Sequence, residues 1–269
     1  MNEQRLPRRL HDVPHRRLCL AADVEQYSRL DIRAQSAVQT DLVRMLDEAA
    51  LLTGLDRATW ARQPQGDLEF AVLPEATAEA SVLGPFVQHL AVRLRDRNTR
   101  LAAPRVRLRL AVDTGVVADA ALGHAGPAPV AVARYVNAHQ LRAVLAALTG
   151  ADLAVIVSDR LYQDVVRSGG PCLDPAQYVR AHVQVKEFGG YGWIRVPGHT
   201  PDEVRSSMAE APEPLPPPVG CAPSRTPLSQ HVHQGAAVGG DVYGGLTFGL
   251  PLPLPLPLPL PPPPTGPAR

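Results

Sequence analysis

The sequence predicts an α/β (α+β) fold, a sheet with helices packed on it, followed by a Pro-rich disordered tail. Apolar runs of strand length alternate with longer runs at helical spacing through the first part of the chain. That alternation stops where prolines accumulate, 18 of the 29 lying at or beyond Pro201. Only 4% of the residues are aromatic, so the core is built from Leu, Val and Ala. The folded part is therefore expected to end near Gly198, which leaves enough chain for one core.

Arg17 to Asp23 is a short apolar run ending in an acid, as in a buried strand whose carboxylate emerges at its C-terminal end. Leu30, Ala34, Val38, Leu42, Met45, Leu46 and Ala49 recur at helical spacing, and Gly54 supplies the stop. Ala58 to Leu73 reads as a hairpin around Gln63-Pro64-Gln65-Gly66-Asp67, with the acid at its tip. A helix over 76–97, kinked near Gly84-Pro85, precedes a half-buried strand in which Val106, Leu108, Leu110 and Val112 alternate with Arg107, Arg109 and Ala111. Asp113-Thr114-Gly115 is expected to end that strand. An alanine-rich helix over 129–148, a strand over 153–157, a short helix over 159–166 and a closing pair at 178–186 and 191–196 complete the order β-α-β-β-α-β-α-β-α-β-β.

The charge balance, 27 Lys+Arg against 26 Asp+Glu, excludes a strongly basic nucleic-acid binder. No run of about eighteen apolar residues follows the N-terminal arginines or occurs elsewhere. A cytoplasmic protein with no nucleic-acid or membrane partner is expected. Cys19, Cys172 and Cys221 lack any ligand spacing and read as free thiols. Walker, Gly-x-Ser-x-Gly and His-Glu-x-x-His motifs are absent, and His124 and His139 are isolated.

The chemistry-bearing residues are Asp23 and Asp67. Either alone reads first as a solvated cap or turn residue. Asp23, however, precedes Val24, Tyr27 and Ser28 at a strand-to-helix turn, where backbone N–H groups can hold phosphates while the acid holds a cation. Two carboxylates on adjacent strands sharing two magnesium ions suit phosphoryl transfer, one ion activating a hydroxyl and the other stabilising the leaving pyrophosphate. Glu25, Glu69 and Asp113 are further acids at strand ends; alternation puts Glu69 beside Asp67 as an added metal ligand or a surface residue.

Strand, Asp-Val-x-x-Tyr-Ser, long helix, hairpin with Gly-Asp, helix, then a strand ending Thr-Gly resembles a divergent class III nucleotide (adenylate/guanylate) cyclase homology domain over roughly residues 15–197. The resemblance implies a ferredoxin-like, palm-type sheet, Mg2+ or Mn2+ on Asp23 and Asp67, and a nucleoside triphosphate substrate. The family's Gly-x-x-x-Asn-x-x-x-Arg helix corresponds to Gly126 through Arg134, with Val130 in place of Asn. Arg134 is the implied transition-state cation, or else an exposed helix arginine. Base selection in the family implies roles for Gln63 and Gly123, neither of which matches an adenylate or guanylate pattern. Val185-Lys186-Glu187 is similar to the family's Val-Lys-Gly, so Lys186 is either a phosphate contact or a solvated strand-end lysine. In that family the site forms between two domains, which implies a homodimer or a heterodimer with a related domain. Related palm-type nucleotidyl transferases are a further reading, distinguished by linear or dimeric products.

The resulting division is an N-terminal tail over 1–14, a cyclase-like domain over 15–200, a Pro-rich linker over 201–229, a Gly-rich β-prone segment over 230–249 and a Pro-rich tail over 250–269. In the Gly-rich segment Val232, Val238, Val242 and Phe248 share a period-two face. It resembles bacterial amyloid signalling motifs similar to the receptor-interacting homotypic interaction motif, which implies an amyloid-motif partner protein. The other reading is a flexible Gly-rich tail.

Overall fold

The structure of the chain is a computed structural model that describes residues 14–101 and 104–209. Strand β1 (His15–Val24) leads through a 3-10 turn at Tyr27–Arg29 into helix α1 (Ile32–Thr53). The Asp31 carboxylate caps that helix by accepting from the Ala34 N–H at 2.8 Å. Gly54, at φ 75, closes it. The inward stripe of Val38, Leu42, Met45, Leu46 and Ala49 is at most 3% exposed. Each large side chain so buried contributes about 1.5–3 kcal/mol, which holds the helix more firmly than propensity does.

Strands β2 (Ala61–Gln65) and β3 (Leu68–Val72) form the expected hairpin, joined by Gly66-Asp67 alone. A two-residue hairpin turn favours a positive φ at its first position, and Gly66 supplies φ 70. Helix α2 (Glu79–Ser81) passes through a π-turn at Val82–Phe86, which contains Pro85, into α3 (Val87–Arg100). Strand β4 (Leu108–Ala120) then runs antiparallel to β1. This βαββαβ arrangement, with order β2-β3-β1-β4, is ferredoxin-like.

Beyond it come β5 (Gly123–Ala125), α4 (Pro127–Val136), α5 (His139–Ala147), β6 (Leu153–Ser158), α6 (Asp159–Leu161), β7 (Val179–Val185), β8 (Phe188–Arg195) and α7 (Pro201–Ala209). The main sheet order is β2-β3-β1-β4-β6-β8-β7. One face packs on α1 and α3, the other on α4 and α5. With both faces covered, β1 reads as continuous apolar sequence, Leu18, Leu20, Ala22 and Val24 facing one layer and Cys19 and Ala21 the other. Among the described residues no helix is long and apolar enough to cross a membrane.

Three elements differ from expectation. Strand β4 does not stop at Asp113-Thr114-Gly115, because Gly115 to Val117 continue to pair with Arg17 to His15. The alanine-rich helix is two helices, broken at Asn137 and Ala138, where the Asn137 side chain donates to the Ala133 carbonyl at 3.0 Å. The fold also continues past Gly198 into α7, which buries Val204 in the second core. Residues 210–269, with the Gly-rich segment and most of the Pro-rich linker, lie outside the described residues, as does most of the N-terminal tail.

Candidate functional site

The period-two geometry of β1 carries Asp23 to the same face as Cys19 and Ala21, and its partner across the ladder is Leu68. Asp67 precedes Leu68 in the two-residue turn, and its carbonyl accepts from the Val24 N–H at 3.0 Å. That bond pins the hairpin tip to the end of β1. Gln39 of α1 adds a brace, donating from Nε2 to the Tyr27 hydroxyl at 2.7 Å and to the Gly66 carbonyl at 3.0 Å.

Asp23 is 7% exposed. Burial pushes its carboxyl up to about 6, the Arg109 guanidinium opposes that rise, and the Asp67 carboxylate adds to it. Arg109 stands directly across the β1–β4 ladder and donates from Nη2 to Asp23 Oδ2. Both side chains are 11% exposed. Arg142 of α5 adds positive field at the same carboxylate. The site end of the sheet is thus two acids held together, with a buried guanidinium as their nearest countercharge.

On the same face a cleft of about 390 Å³ opens beside α4, with Ala21, Leu68 and Phe70 in its floor and Gln63, His124, Val130, Arg134 and Asn137 around it. Gln63 donates from Nε2 to the Leu122 carbonyl at 3.3 Å. Its amide fills the space over Gly123, where an added Cβ would lie 1.3 Å from Gln63 Nε2. Arg134 donates from Nη2 to Glu187 Oε1 at 3.0 Å. Its Nε is buried without a hydrogen-bond partner.

No family model and no curated protein matches the sequence. Solved structures do match. The guanylyl cyclase Cya2 superposes with a TM-score of 0.50 at 13% identity, over 70% of this chain and 93% of that chain. The chain has the nucleotide cyclase fold. The adenylate/guanylate cyclase/hydrolase from Silicibacter pomeroyi gives a TM-score of 0.49 at 19% identity, over 70% and 99% of the two chains. For the adenylyl cyclase CyaB from P. aeruginosa the values are 0.47 and 12%, over 71% and 98%.

On that fold the candidate residues fall into three groups. Asp23 and Asp67 meet at one end of the sheet, and Gln63, Val130 and Arg134 share the cleft. Lys186 lies in the exposed turn between β7 and β8, at φ 55, next to the Glu187 that bonds Arg134. Of the three residues expected to cradle phosphates, Ser28 is exposed in the 3-10 turn, while Val24 and Tyr27 are engaged within the fold. The Val24 side chain is buried in the α1 layer, its N–H is spent on Asp67, and Tyr27 packs against that same layer. Glu69 faces away from Asp67's neighbour Leu68 and makes a two-pronged ion pair with buried Arg57, at 2.7 and 3.1 Å. It is neither a surface residue nor part of the acid pair. Glu25 is engaged by Arg107 at 2.7 Å, and Asp113 is buried next to Ser158. Cys19 and Cys172 are free, and burial pushes the Cys19 thiol up to about 12.

Sequence reasoning missed Arg109, and it treated His124 as isolated. His124 borders the cleft, its ring centroid 6.2 Å from that of Phe70 and its Nδ1 3.3 Å from Asp119 Oδ1. The sequence carried no local signal for Arg109, because only the register of β4 against β1 sets it opposite Asp23.

Proposed function

We propose that this chain is a divergent nucleotide cyclase, converting a nucleoside triphosphate to a cyclic nucleotide and pyrophosphate at a dimer interface. The observation that carries the reading is the junction of Asp23 and Asp67 on a cyclase fold. Among the described residues no cluster of three or more His, Cys, Asp or Glu side chains is present that could hold a metal by itself. Two carboxylates nevertheless suit Mg2+ or Mn2+, which takes one or two protein carboxylates and completes its shell with phosphate oxygens and water. The raised Asp23 pKa fits as well, since a cation relieves the repulsion and burial that raise it.

When bound, the metal activates the ribose 3′ hydroxyl and neutralises charge on the departing pyrophosphate. The new bond joins O3′ to the α-phosphorus, the α–β bridging P–O bond breaks, and the hydroxyl proton leaves to solvent. Asp23 and Asp67 would hold the ion. Arg109, the present partner of Asp23, would be freed by such an ion to pair with a phosphate oxygen. Arg134, from the opposing protomer, stabilises the α-phosphoryl charge that grows in the transition state. Gln63 presents an amide to the base.

Incubating the full chain with each of the four triphosphates and Mg2+ or Mn2+ tests the reading, run beside Asp67→Asn. Cyclic product from the wild type and none from the variant is expected. Absence of product from the wild type at every protein concentration counts against it.

Two features favour a second reading, an inactive cyclase-like sensor or dimerisation module that recruits a partner through the 230–249 segment. Val130 brings no amide to the cleft, and Arg109 already neutralises Asp23. Triphosphate binding without turnover is the outcome that selects it.

A further inference from the structure

The β7–β8 hairpin is mounted on α4. The Tyr135 hydroxyl donates to the Tyr191 carbonyl at 2.9 Å, and the Phe188 ring stands edge-on to Tyr135 with centroids 5.2 Å apart. Gly192 permits this approach, because a Cβ there would come 3.1 Å from the Tyr135 ring and 2.8 Å from Ile156. The two-residue turn that caps the hairpin is Lys186-Glu187, and Lys186 takes the left-handed backbone, φ 55, that such turns normally give to glycine. The tip is therefore fixed against the last turn of α4, where Arg134 lies.

Glu187 reaches Arg134 from this tip, one oxygen on Nη2 at 3.0 Å. The contact uses the guanidinium poorly. Arg134 can offer Nε and Nη2 as a fork, yet Nε is buried and unpartnered. A carboxylate arriving from the hairpin takes one prong, whereas a phosphate with several oxygens can take both. Glu187 is also exposed, its side chain 76% accessible, so water and salt screen its hold on the arginine. Its carboxyl is kept below the usual carboxylate range by its own backbone N–H and by Arg134, and it stays ionised at neutral pH.

We propose that Glu187 is a positioning residue that occupies Arg134 in place of a substrate phosphate, and that the phosphate chain of a triphosphate must displace it to reach the arginine. Apparent triphosphate affinity is then set by competition with the hairpin tip. The ligand chemistry is a polyphosphate chain, and the inference rests on the proposed function only for its nucleotide.

The full chain is titrated calorimetrically with inorganic tripolyphosphate in the absence of metal, and KM and kcat are measured for any triphosphate turned over. Glu187→Gln is expected to tighten tripolyphosphate binding about three- to tenfold, the factor a competitor closed most of the time withholds. Glu187→Asp keeps the wild-type affinity within about twofold. In turnover Glu187→Gln lowers KM by the same factor without lowering kcat. Added salt shrinks the difference, and Arg134→Gln abolishes it. If the wild type cyclises nothing but Glu187→Gln still tightens tripolyphosphate, the latch stands and the cyclase reading falls. The proposal is overturned if Glu187→Gln leaves affinity unchanged or weakens it, or if the gain persists in the Arg134→Gln background.

Discussion

Replacing Arg109 by Met isolates what the acid pair costs the fold. The guanidinium and the Asp23 carboxylate are each 11% exposed and face each other across the β1–β4 ladder, so the variant leaves a buried carboxylate whose nearest charged neighbour is another acid. Breaking one partner of a buried pair costs about 3–5 kcal/mol. For a domain of this size that lowers the melting temperature by about 6–20 °C. Asp23 already titrates near 6, above its ordinary value of 3.8, because burial outweighs Arg109. A carboxyl raised in the folded state contributes most below its unfolded pKa and loses that contribution as pH rises through the folded value. The Arg109→Met deficit should therefore be largest above pH 7 and shrink toward pH 5 as Asp23 takes up a proton. Urea unfolding at pH 5 and pH 7.5 measures it, with Arg109→Met/Asp23→Leu as the partner that removes both charges and recovers most of the loss. A single variant within about 1 kcal/mol of wild type at pH 7.5, or a deficit independent of pH, would show that Arg109 does not hold a buried Asp23 charge.

Three further outcomes follow from the same geometry. Divalent-metal affinity measured by titration should fall about tenfold per pH unit below 6, because the ion displaces the Asp23 proton; a flat profile removes Asp23 from the ligand set. Glu69→Ala should cost about 1–3 kcal/mol, because buried Arg57 loses its two bonds to Glu69 and keeps only Asp47, at 2.5 Å, while metal titration stays unchanged; weaker metal binding in a folded Glu69→Ala chain would make it a ligand after all. Gly84→Ala should cost about 1–3 kcal/mol in thermal melts, since the new Cβ would lie 2.2 Å from the Pro171 carbonyl oxygen.

Local chemistry made much of the fold readable. A strand ending in an acid, a helix stopped by Gly54 and a hairpin turned by Gly66-Asp67 each announce themselves within a few residues. What stayed hidden depended on neighbours far along the chain. Alternation in β4 separates Arg109 and Ala111 from Leu108 and Leu110, but period two does not say whether the second face is covered. Here α4 and α5 cover it, so residues that read as solvent-facing are buried. Glu69 failed for a related reason: Asp67 lies in the turn, and counting by twos across a turn assigns the wrong face. Pro201 misled in the other direction. Taken as the start of a linker, it is the first residue of α7, and Thr200 and Glu203 form a capping box, Thr200 N–H donating to Glu203 Oε2 at 2.7 Å and Glu203 N–H to Thr200 Oγ1 at 3.3 Å. The Thr-x-x-Glu spacing was there to be read. The hold of Glu187 on Arg134 was not, because 53 residues separate them and only the packing of Phe188 on Tyr135 brings them together.

In the proposed cyclase, Asp23 and Asp67 of one protomer and Arg134 of another complete one cyclising site. Mixing Asp67→Asn chains with Arg134→Gln chains tests it most directly, with cyclic nucleotide as the readout. Each variant alone should be inactive, and an equimolar mixture should recover about a quarter of wild-type activity, since half the dimers then carry one intact site of two. A wild type that makes cyclic nucleotide beside a mixture that makes none would contradict the shared site, and a wild type that makes none would contradict the cyclase itself.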